Sequence, residues 1–357
     1  MKDEAFSYRR PHFFSRIIVA LLMLLDIVFP LLEWVWILSL GYLAEVVFLG
    51  TGATVPTPER FLPGILVRDR IGDAILLDSG EGVQLRLAQL GVSPSSIDVI
   101  AVTHEHGDHV NGLPGLLQSM YVGGRSRGLT IVAPASIAWF VSEALEAKED
   151  RLGFKVDVIV AKGRGSLEVN RASGDTLTLY WFPVCHTVEA YGYSLEWKLR
   201  PRISLEKFEA LGVKPGPWLR DLLERGEASL ESIRVKLEDV IGRSGVTVKI
   251  SYTGDTSPCD DYVESIRGSR VLIHDSTFHS ELEVEARGKG HSTSKEAAEK
   301  ALEAGAKLLV LTHISSRYRG FEARRLLEES RKVFSNTLLS RDLMRVTLGP
   351  LEHHPQS

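Results

Sequence analysis

The chain has 357 residues, of which 44% are hydrophobic and 25% are charged, values typical of a folded globular protein with one large domain or two ordinary ones. A formal net charge of −4 excludes a surface that attracts nucleic acid as a whole, so a polyanion would have to meet a local basic patch. The two cysteines, Cys185 and Cys259, are too few for a disulfide framework. They favour a reducing compartment, with Cys185 as a buried thiol in preference to a soft metal ligand.

Residues 17–44 form a long apolar segment that follows a basic start and is long enough to span a bilayer. Asp26, Pro30 and Glu33 interrupt it, and an acidic group near the middle of a bilayer costs roughly 2.5–3.5 kcal/mol. Three interpretations stay open: a membrane anchor or hairpin that turns at Pro30, an apolar extension packed on the domain or on a partner, and a start codon placed too far upstream. We favour an extension that lies outside the fold that follows.

After Ala44, apolar runs and glycine turns predict a core of short strands with helices between them. The predicted strands cover 45–49, 64–68, 74–78, the run into His104, 129–133, 155–160, 167–169, 176–184, 246–252, 271–274, 308–311 and a stretch near 344–348. The predicted helices follow Gly82, begin near 112, and cover 139–147, 292–304 and 321–333. Many short strands that feed loops predict an α+β fold in which two sheets pack face to face with helices outside.

The alternation of strands and helices breaks from about 198 to 243. Prolines and glycines at high density, as in 214–218, predict an irregular excursion from the core that is flanked by short helices. Acidic residues offset most of its basic ones, so the basic cluster is confined to 198–202 and Lys214. Taken alone, this cluster fits a solvated arm as well as an RNA contact.

The run 100–109 ends a β-branched apolar strand in three histidines and a carboxylate. Alternation places His104 and His106 on one side of the extended chain, so that both imidazoles face one metal ion. The glycine that follows permits a sharp bend, which turns Asp108 and His109 towards a second position nearby. A lone His-x-His pair would be weak evidence, but the full pattern at the end of a buried strand predicts a metal site.

Seven side chains lie where an apolar strand meets a polar turn: His104, His106, Asp108, His109, His186, Asp255 and His313. Nitrogen and carboxylate donors in this number suit two divalent metal ions, with zinc as the first choice. Two metals roughly 3.5–4 Å apart can hold both oxygens of a phosphodiester in line and bring the pKa of a bound water near ~7. His291 lies at a predicted helix N-terminus, which places an imidazole beside a bound phosphate unless it is a solvated loop histidine.

The motif 104–109 resembles the signature of the metallo-β-lactamase superfamily, and its neighbours resemble those of the ribonuclease Z family, the endonucleases that trim the 3′ ends of tRNA precursors. The matching segments are 48–52, 78–84, 112–117, 191–193, 216–217, 252–256, 290–293 and 313–318. The resemblance covers residues 45–350. It leaves residues 1–44, which contain the apolar segment 17–44, and a short tail, 351–357.

The resemblance implies an αββα sandwich, the metallo-β-lactamase fold, with the insertion 198–243 as a protruding arm that binds tRNA. It implies that His104, His106 and His186 hold one zinc ion, that Asp108, His109 and His313 hold the other, and that Asp255 bridges them. The residues of the arm region to which it points for RNA binding are Lys198, Arg200, Arg202, Lys214, Gly216 and Pro217.

The resemblance also implies catalytic roles for Asp108, His291 and Asp275. Asp108 is the proton acceptor for the attacking water, and His291 stabilises or protonates the departing 3′ oxygen. The family pairs that histidine with the acidic residue of a His-Glu-Ala-Thr motif, whereas residues 274–277 read His-Asp-Ser-Thr. Because aspartate is the shorter residue, we predict a longer or water-mediated hydrogen bond between Asp275 and His291.

The implied function is a cytoplasmic endoribonuclease with two Zn²⁺ ions per subunit. It would cut precursor tRNA to leave a tRNA 3′-hydroxyl and a 5′-phosphorylated trailer, and it would work as a homodimer. Two alternatives are another hydrolase of the superfamily that acts on a small phosphodiester, ester or sulfate, and a non-catalytic RNA-binding relative. A membrane-tethered version of any of these depends on residues 17–44.

Overall fold

The structure, a computed structural model, describes residues 42–146, 153–172, 175–214, 216–230, 233–243 and 245–349. The predicted apolar segment 17–44 lies outside the described residues except for its last three, and the tail 351–357 lies wholly outside them. Across the described ranges, no helix has both the length and the apolar character that crossing a membrane requires.

The secondary structure consists of short strands and short helices that alternate along the described chain. The strands are β1 (Ala44–Gly50), β2 (Gly52–Ala53), β3 (Gly64–Asp69), β4 (Ala74–Leu77), β5 (Val99–Ala101), β6 (Leu129–Ala133), β7 (Val156–Val160), β8 (Gly165–Ala172), β9 (Asp175–Pro183), β10 (Tyr191–Leu199), β11 (Arg202–Ile203), β12 (Glu227–Leu230), β13 (Ile233–Lys236), β14 (Ile241–Arg243), β15 (Val246–Tyr252), β16 (Val271–Asp275), β17 (Leu309–Thr312), β18 (Ile314–Ser315), β19 (Thr337–Leu339) and β20 (Arg345–Leu348). The α-helices are α1 (Val83–Gln89), α2 (Gly107–Val110), α3 (Leu113–Val122), α4 (Ala135–Glu146), α5 (Leu205–Ala210), α6 (Leu219–Arg225), α7 (Leu237–Val240), α8 (Val263–Ile266), α9 (Glu283–Gly288), α10 (Ser294–Glu303) and α11 (Phe321–Val333), with 3₁₀ turns at Pro94–Ser96 and Ser280–Leu282.

Two seven-stranded sheets pack face to face and confirm the predicted αββα sandwich. The first has the order β20-β1-β3-β4-β5-β6-β7, and the second has the order β19-β17-β16-β15-β10-β9-β8. The sheets share one apolar core, while α1, α3 and α4 cover the outer face of the first sheet and α8 and α10 cover that of the second. The strands β1, β4 and β17 are buried along their whole length and need apolar residues on both sides, which is why they read as nearly continuous apolar runs. The strands β9 and β15 are only partly buried and alternate apolar with polar residues.

The parallel strands place their carboxyl ends at one edge of the sandwich. In the first sheet β4, β5 and β6 run parallel, and in the second β15, β16 and β17 do so. The short pair β2–β18 joins the two halves at this edge, where Gly52 lies opposite Ile314. The polar residues that follow these strands therefore meet at one place.

The insertion between β10 and β15 contains more regular secondary structure than we predicted. It contains the two-stranded sheets β11–β14 and β12–β13 and the helices α5, α6 and α7. These elements enclose a small core of their own, with Phe208, Leu222, Val235 and Val240 buried at its centre. The expectation of an irregular excursion is wrong, because apolar residues spaced over several short elements still collapse on one another. We call residues 200–245 the arm.

The arm begins later than the sequence boundary at 198. Strand β10 runs to Leu199, and Lys198 pairs with Thr247 of β15 in the main sheet. The next register pair is Leu199 and Val246, so the arm leaves and re-enters the sheet at two directly opposed residues. Lys198 is therefore a residue of the sheet and not of the arm.

The cysteines do not match their predicted state. Cys185 and Cys259 form a disulfide, with Cα atoms 6.4 Å apart and a sequence separation of 74 residues. Cys185 is consequently neither a buried free thiol nor a free soft ligand. Sequence reasoning missed the pair because each cysteine lies in a loop, and only the pairing of Cys185 with Ser257 across the sheet end brings the two loops together.

Candidate metal centre

The motif after β5 folds back in a single turn of helix, α2, and carries four of the seven predicted donors. His104 Nε2 lies 3.0 Å from His106 Nδ1, which lies 3.2 Å from His186 Nε2. Asp255 Oδ2 is 3.7 Å from His104 Nε2. One donor atom from each of these four side chains lies within 4.8 Å of every other, so they form one compact group.

A second group lies beside the first. His313 Nε2 is 3.4 Å from His109 Nε2 and 3.4 Å from Asp108 Oδ2, and these three side chains again place one donor atom each within 4.8 Å of one another. Asp255 lies between the groups, because its Oδ2 is 3.3 Å from His313 Nε2 and its Oδ1 is 3.4 Å from His109 Nε2. The structure thus brings all seven predicted donors together.

The outward nitrogens of four of these imidazoles have partners of their own. His104 Nδ1 lies 2.9 Å from Thr103 Oγ1, and His109 Nδ1 lies 2.8 Å from Asp78 Oδ2. His186 Nδ1 lies 2.7 Å from the Gly290 carbonyl oxygen, and His313 Nδ1 lies 2.8 Å from Thr277 Oγ1. A nitrogen that donates outward fixes the tautomer and leaves a lone pair on the inward nitrogen. Inward lone pairs that face one another at about 3 Å repel each other, and a cation bound between them would remove this repulsion.

The residues present fit divalent metal ions. Ligand atoms about 2.0–2.1 Å from a tetrahedral metal lie roughly 3.3–3.4 Å apart, close to the separations within both groups. Asp255 Oδ1 is also buried without a hydrogen-bond partner, whereas buried polar atoms are normally satisfied. A metal ion would satisfy that oxygen.

Before a metal ion binds, the charges of the site hold some of these side chains in their ligand forms. Burial lowers the pKa of His104 well below its ordinary value, with the charge of His109 next, so this imidazole is neutral at pH 7. Burial raises the pKa of Asp108 and of Asp255, but His313 and His109 outweigh it and hold both carboxyl pKa values below their usual range. Neutral imidazoles and ionised carboxylates are the forms that bind metals, so His104 and the two carboxylates are already in those forms. Burial lowers the pKa of His109, but Asp255 and Asp78 outweigh it and raise that pKa well above its ordinary value, so His109 has to lose a proton when a metal ion binds.

His291 stands at the rim, next to both groups. Its ring lies 5.2 Å from that of His186 and 5.2 Å from that of His313, measured between centroids. Its Nδ1 contacts Asp275 Oδ2 at 2.9 Å, so the predicted longer or water-mediated bond is wrong. The shorter aspartate reaches because Asp275 still belongs to β16 and is wholly buried beside the loop of His291.

Strained backbone is concentrated here. Of the four non-glycine residues with positive φ in the described part of the chain, Thr54, Asp78 and His313 lie at this site. Such conformations cost of order 1–3 kcal/mol each and persist where surrounding contacts fix them. The Thr54 amide donates to Asp108 Oδ2 at 2.7 Å, and His313, with a φ of 58°, places its Nε2 3.4 Å from the same oxygen.

Asp78 is a site residue to which sequence reasoning gave no role. It is fully buried, and its carboxylate accepts from the amide of Thr103 at 2.8 Å and from the hydroxyl of Tyr252 at 2.8 Å, besides its contact with His109. Its position directly after β4, at the same sheet edge as the motif, was the available signal.

Replacing Asp78 by asparagine is expected to weaken metal binding about 10- to 100-fold, because His109 loses the carboxylate that orients its ring and strengthens its lone pair. Metal affinity should be measured by competition with a chromogenic chelator. Asp73→Asn, a change at the turn before β4, serves as a control for altered net charge. Unchanged affinity in Asp78→Asn would remove this role.

The predicted RNA-binding residues lie partly in the main sheet and partly in the arm. Lys198 lies in the main sheet, where its Nζ is 3.6 Å from Glu196 Oε1. The backbone amide of Arg200 donates to Asp175 Oδ1 at 2.8 Å. Arg202 belongs to β11, and Lys214, Gly216 and Pro217 lie between α5 and α6 in the arm. Lys214 is exposed there, and RNA binding by Arg200, Arg202 and the residues around Lys214 stays a prediction.

Comparison with known families supports the fold. Residues 44–200 match the family model described as anti-Pycsar protein Apyc1, and residues 236–314 match that of the beta-lactamase superfamily domain. The crystal structure of the human tRNase Z, short form, superposes with a TM-score of 0.60 at 24% sequence identity, covering 86% of this chain and all of that one. This likeness shows that the chain has the metallo-β-lactamase fold.

Curated relatives match over nearly their whole length. Ribonuclease Z of Aeropyrum pernix is 49% identical over 304 residues, which are 85% of this chain and 98% of that protein. Ribonuclease Z of Methanothermobacter thermautotrophicus is 38% identical over 314 residues, 88% of this chain and 99% of that protein. With the strand-end motif and the converging donors described above, this extent of identity shows that the chain belongs to the ribonuclease Z family.

Proposed function

We propose that this chain is a metal-dependent endoribonuclease that cuts precursor tRNA on the 3′ side of the mature tRNA and releases a 3′ trailer. The observation that carries the proposal is the convergence of seven donor side chains in two adjoining groups at one sheet edge. The near full-length identity to proteins named Ribonuclease Z supports the choice of RNA as the substrate.

We propose two zinc ions per subunit. His104, His106 and His186 would hold one, Asp108, His109 and His313 the other, and Asp255 would bridge them. The predominance of imidazole nitrogen over oxygen favours zinc over magnesium or calcium, which prefer oxygen ligands. When bound, the ions supply positive charge that activates water and stabilises the phosphorane-like transition state.

Two side chains of the site each carry out one proton transfer of the reaction. Asp108 accepts the proton of the attacking water, and the hydrogen bond from the Thr54 amide fixes its carboxylate at 2.7 Å. Water attacks phosphorus in line with the bond to the 3′ oxygen, and that bond breaks. His291 gives its proton to the departing 3′ oxygen, which leaves a tRNA 3′-hydroxyl and a 5′-phosphorylated trailer.

Asp275 keeps His291 ready for this step. Burial lowers the pKa of His291, but the charge and the hydrogen bond of Asp275 raise it to about 9. The imidazolium is thus the form present at pH 7, where an acid is needed. Thr256 and Thr277 donate backbone amides to the same carboxylate at 3.0 and 2.9 Å, and these bonds fix its direction.

The arm would grip the tRNA body. Its core is separate from the cores of the sandwich, so it forms a distinct unit next to the sheet that carries His186 and Asp255. A small phosphodiester needs no such unit, and this favours a large substrate. We further propose a cytoplasmic homodimer, in which the arm of one subunit serves the site of the other.

Cleavage of a 3′-extended precursor tRNA, followed on a denaturing gel, tests the proposed function. Wild-type protein should cut at one position, and a chelator or His106→Ala should abolish cutting of the tRNA and of bis-p-nitrophenyl phosphate alike. Addition of Zn²⁺ should restore activity to wild-type protein from which a chelator has removed the metal. The same addition should not restore activity to His106→Ala. Cutting that survives complete removal of metal would refute the proposal.

Deletion of the arm should separate the two substrates. Because Leu199 and Val246 are opposed in the sheet, residues 200–245 can be replaced by an Asn-Gly turn, which closes a two-residue hairpin. We expect about a 100-fold loss of kcat/KM for precursor tRNA, equivalent to ~3 kcal/mol, and little change with bis-p-nitrophenyl phosphate. The salt dependence of tRNA binding should also become shallower, because phosphate contacts are lost. Equal loss on both substrates would contradict the role of the arm.

A further inference from the structure

The disulfide joins the two loops that carry His186 and Asp255. Cys185 directly precedes His186, and Cys259 lies a few residues beyond Asp255 in the loop after β15. The whole arm lies between the two half-cystines in the chain. The bond therefore connects two donors of the candidate metal centre that belong to distant parts of the sequence.

Backbone contacts run beside the disulfide and depend on the same approach of the loops. The amide of Ser257 donates to the Cys185 carbonyl oxygen at 2.7 Å, and the amide of Cys185 donates to Thr256 Oγ1 at 3.1 Å. Thr256 is in turn the residue whose amide donates to Asp275. A displacement of Cys185 from this contact would move the main chain at His186 and loosen the loop of Asp255.

The loop of His186 lies at the rim of the site. Thr187 and Glu189 are exposed, and His186 is only partly buried, in contrast to the fully buried His104 and His109. Its ring is fixed by the hydrogen bond to the Gly290 carbonyl, while the disulfide restrains the main chain one residue away. Of the seven donors, His186 is thus one whose main chain adjoins a covalent tie in a surface loop.

We propose that the Cys185–Cys259 disulfide is a positioning element of the metal centre and that its reduction by a small dithiol speeds loss of metal. The inference rests on the proposed metal centre and concerns how that centre keeps its ions. The bond is within reach of such a reagent, because both half-cystines are partly exposed.

The chemistry is a thiol–disulfide exchange. A thiolate of the dithiol attacks one sulfur, the Cys185–Cys259 bond breaks, and a mixed disulfide forms. The second thiol of the reagent then attacks that mixed disulfide and releases the second cysteine. The dithiol gives up two electrons and two protons and becomes a cyclic disulfide, and the two cysteines take up both as free thiols. A low-molecular-weight disulfide carries out the reverse reaction.

The test compares metal release from the full chain in its oxidised and reduced forms. Zinc-loaded protein is mixed with a chromogenic chelator, with and without prior treatment with a dithiol that is then removed, and thiols are counted before and after. We expect the oxidised form to show no titratable thiol and the reduced form to release metal about 10-fold faster. Cys185→Ser/Cys259→Ser should release metal at the reduced rate whether or not it is treated, and re-oxidation should restore the slow rate only in wild type.

Three results would overturn the proposal. The first is two titratable thiols in protein that has met no reductant, and the second is equal release rates from the two forms. The third is an additional equivalent of metal bound on reduction, with a thiolate-to-cobalt absorption band when Co²⁺ is used, which would make Cys185, Cys259 and Asp261 a ligand set instead. Because metal release is measured without RNA, the two proposals can fail separately. If the reduced form releases metal faster but the oxidised, zinc-loaded form does not cut precursor tRNA, the proposed function is refuted and this inference is still supported.

Discussion

Asp255→Asn is expected to abolish nearly all cleavage, with a loss of about 10³-fold or more in the single-turnover rate. Without the carboxylate that would bridge them, the two metal ions would be held poorly, and several kcal/mol of their stabilisation of the transition state would be lost. Asp255 is buried between the two groups of donors, with one oxygen 3.3 Å from His313 and the other 3.4 Å from His109. An amide keeps the shape of the side chain but has no charge to hold two cations side by side.

Metal content distinguishes this effect from a folding defect. Asp255→Asn should retain its far-ultraviolet circular dichroism yet bind fewer than two equivalents of zinc, as measured by atomic absorption after dialysis. Asp260→Asn is the matched control, because Asp260 lies on the same loop, is exposed and pairs with Lys300. That variant should keep its metal and its activity. Full metal content and normal cutting in Asp255→Asn would remove the bridging role.

His291→Ala is expected to slow cleavage of precursor tRNA about 10²- to 10³-fold without loss of metal, as for removal of a general acid. The leaving 3′ oxygen is strongly basic and needs a proton, whereas p-nitrophenolate does not. The same variant should therefore cut bis-p-nitrophenyl phosphate at close to the wild-type rate. His279→Ala, a change of a histidine that pairs with Glu329 outside the site, should leave both rates unchanged.

The pH profile gives an independent test of His291. Its pKa is raised to about 9 by Asp275 against the opposing effect of burial, so its acid form predominates below pH 9 and is lost above it. Bound metal ions would oppose this rise in pKa, so the wild-type rate should fall with increasing pH at or below about 9, and this decline should be missing from the residual activity of His291→Ala. A decline at the same pH in both proteins would assign it to another group.

The sequence predicted those parts of the structure that depend on local pattern. The strand over 246–252 and the helix over 321–333 were predicted with the bounds they have, because an alternation of apolar and polar residues sets the strand and a helical repeat sets the helix. The donors could be grouped because each follows a strand, and the ends of parallel strands meet at one edge.

The parts that were not predicted depend on contacts between distant loops. The disulfide needs the loops of Cys185 and Cys259 side by side, and the direct bond between Asp275 and His291 needs two loops at a spacing that no residue type reveals. Asp78 escaped notice because an aspartate after a strand looks the same whether it faces solvent or a buried imidazole. The core of the arm was missed because its apolar residues are scattered over several short elements.

The attachment of the arm has a consequence for how substrate range can change. Both of its ends meet the sheet at one opposed pair, Leu199 and Val246, so its length and content do not alter the register of β10 against β15. A graft of a different RNA-binding or peptide-binding unit at this hairpin would leave the bond-breaking chemistry untouched. Under the proposed role of the arm, recognition is a replaceable part, and a chimaera made at residues 200–245 is expected to bind new targets while it keeps the same metal centre.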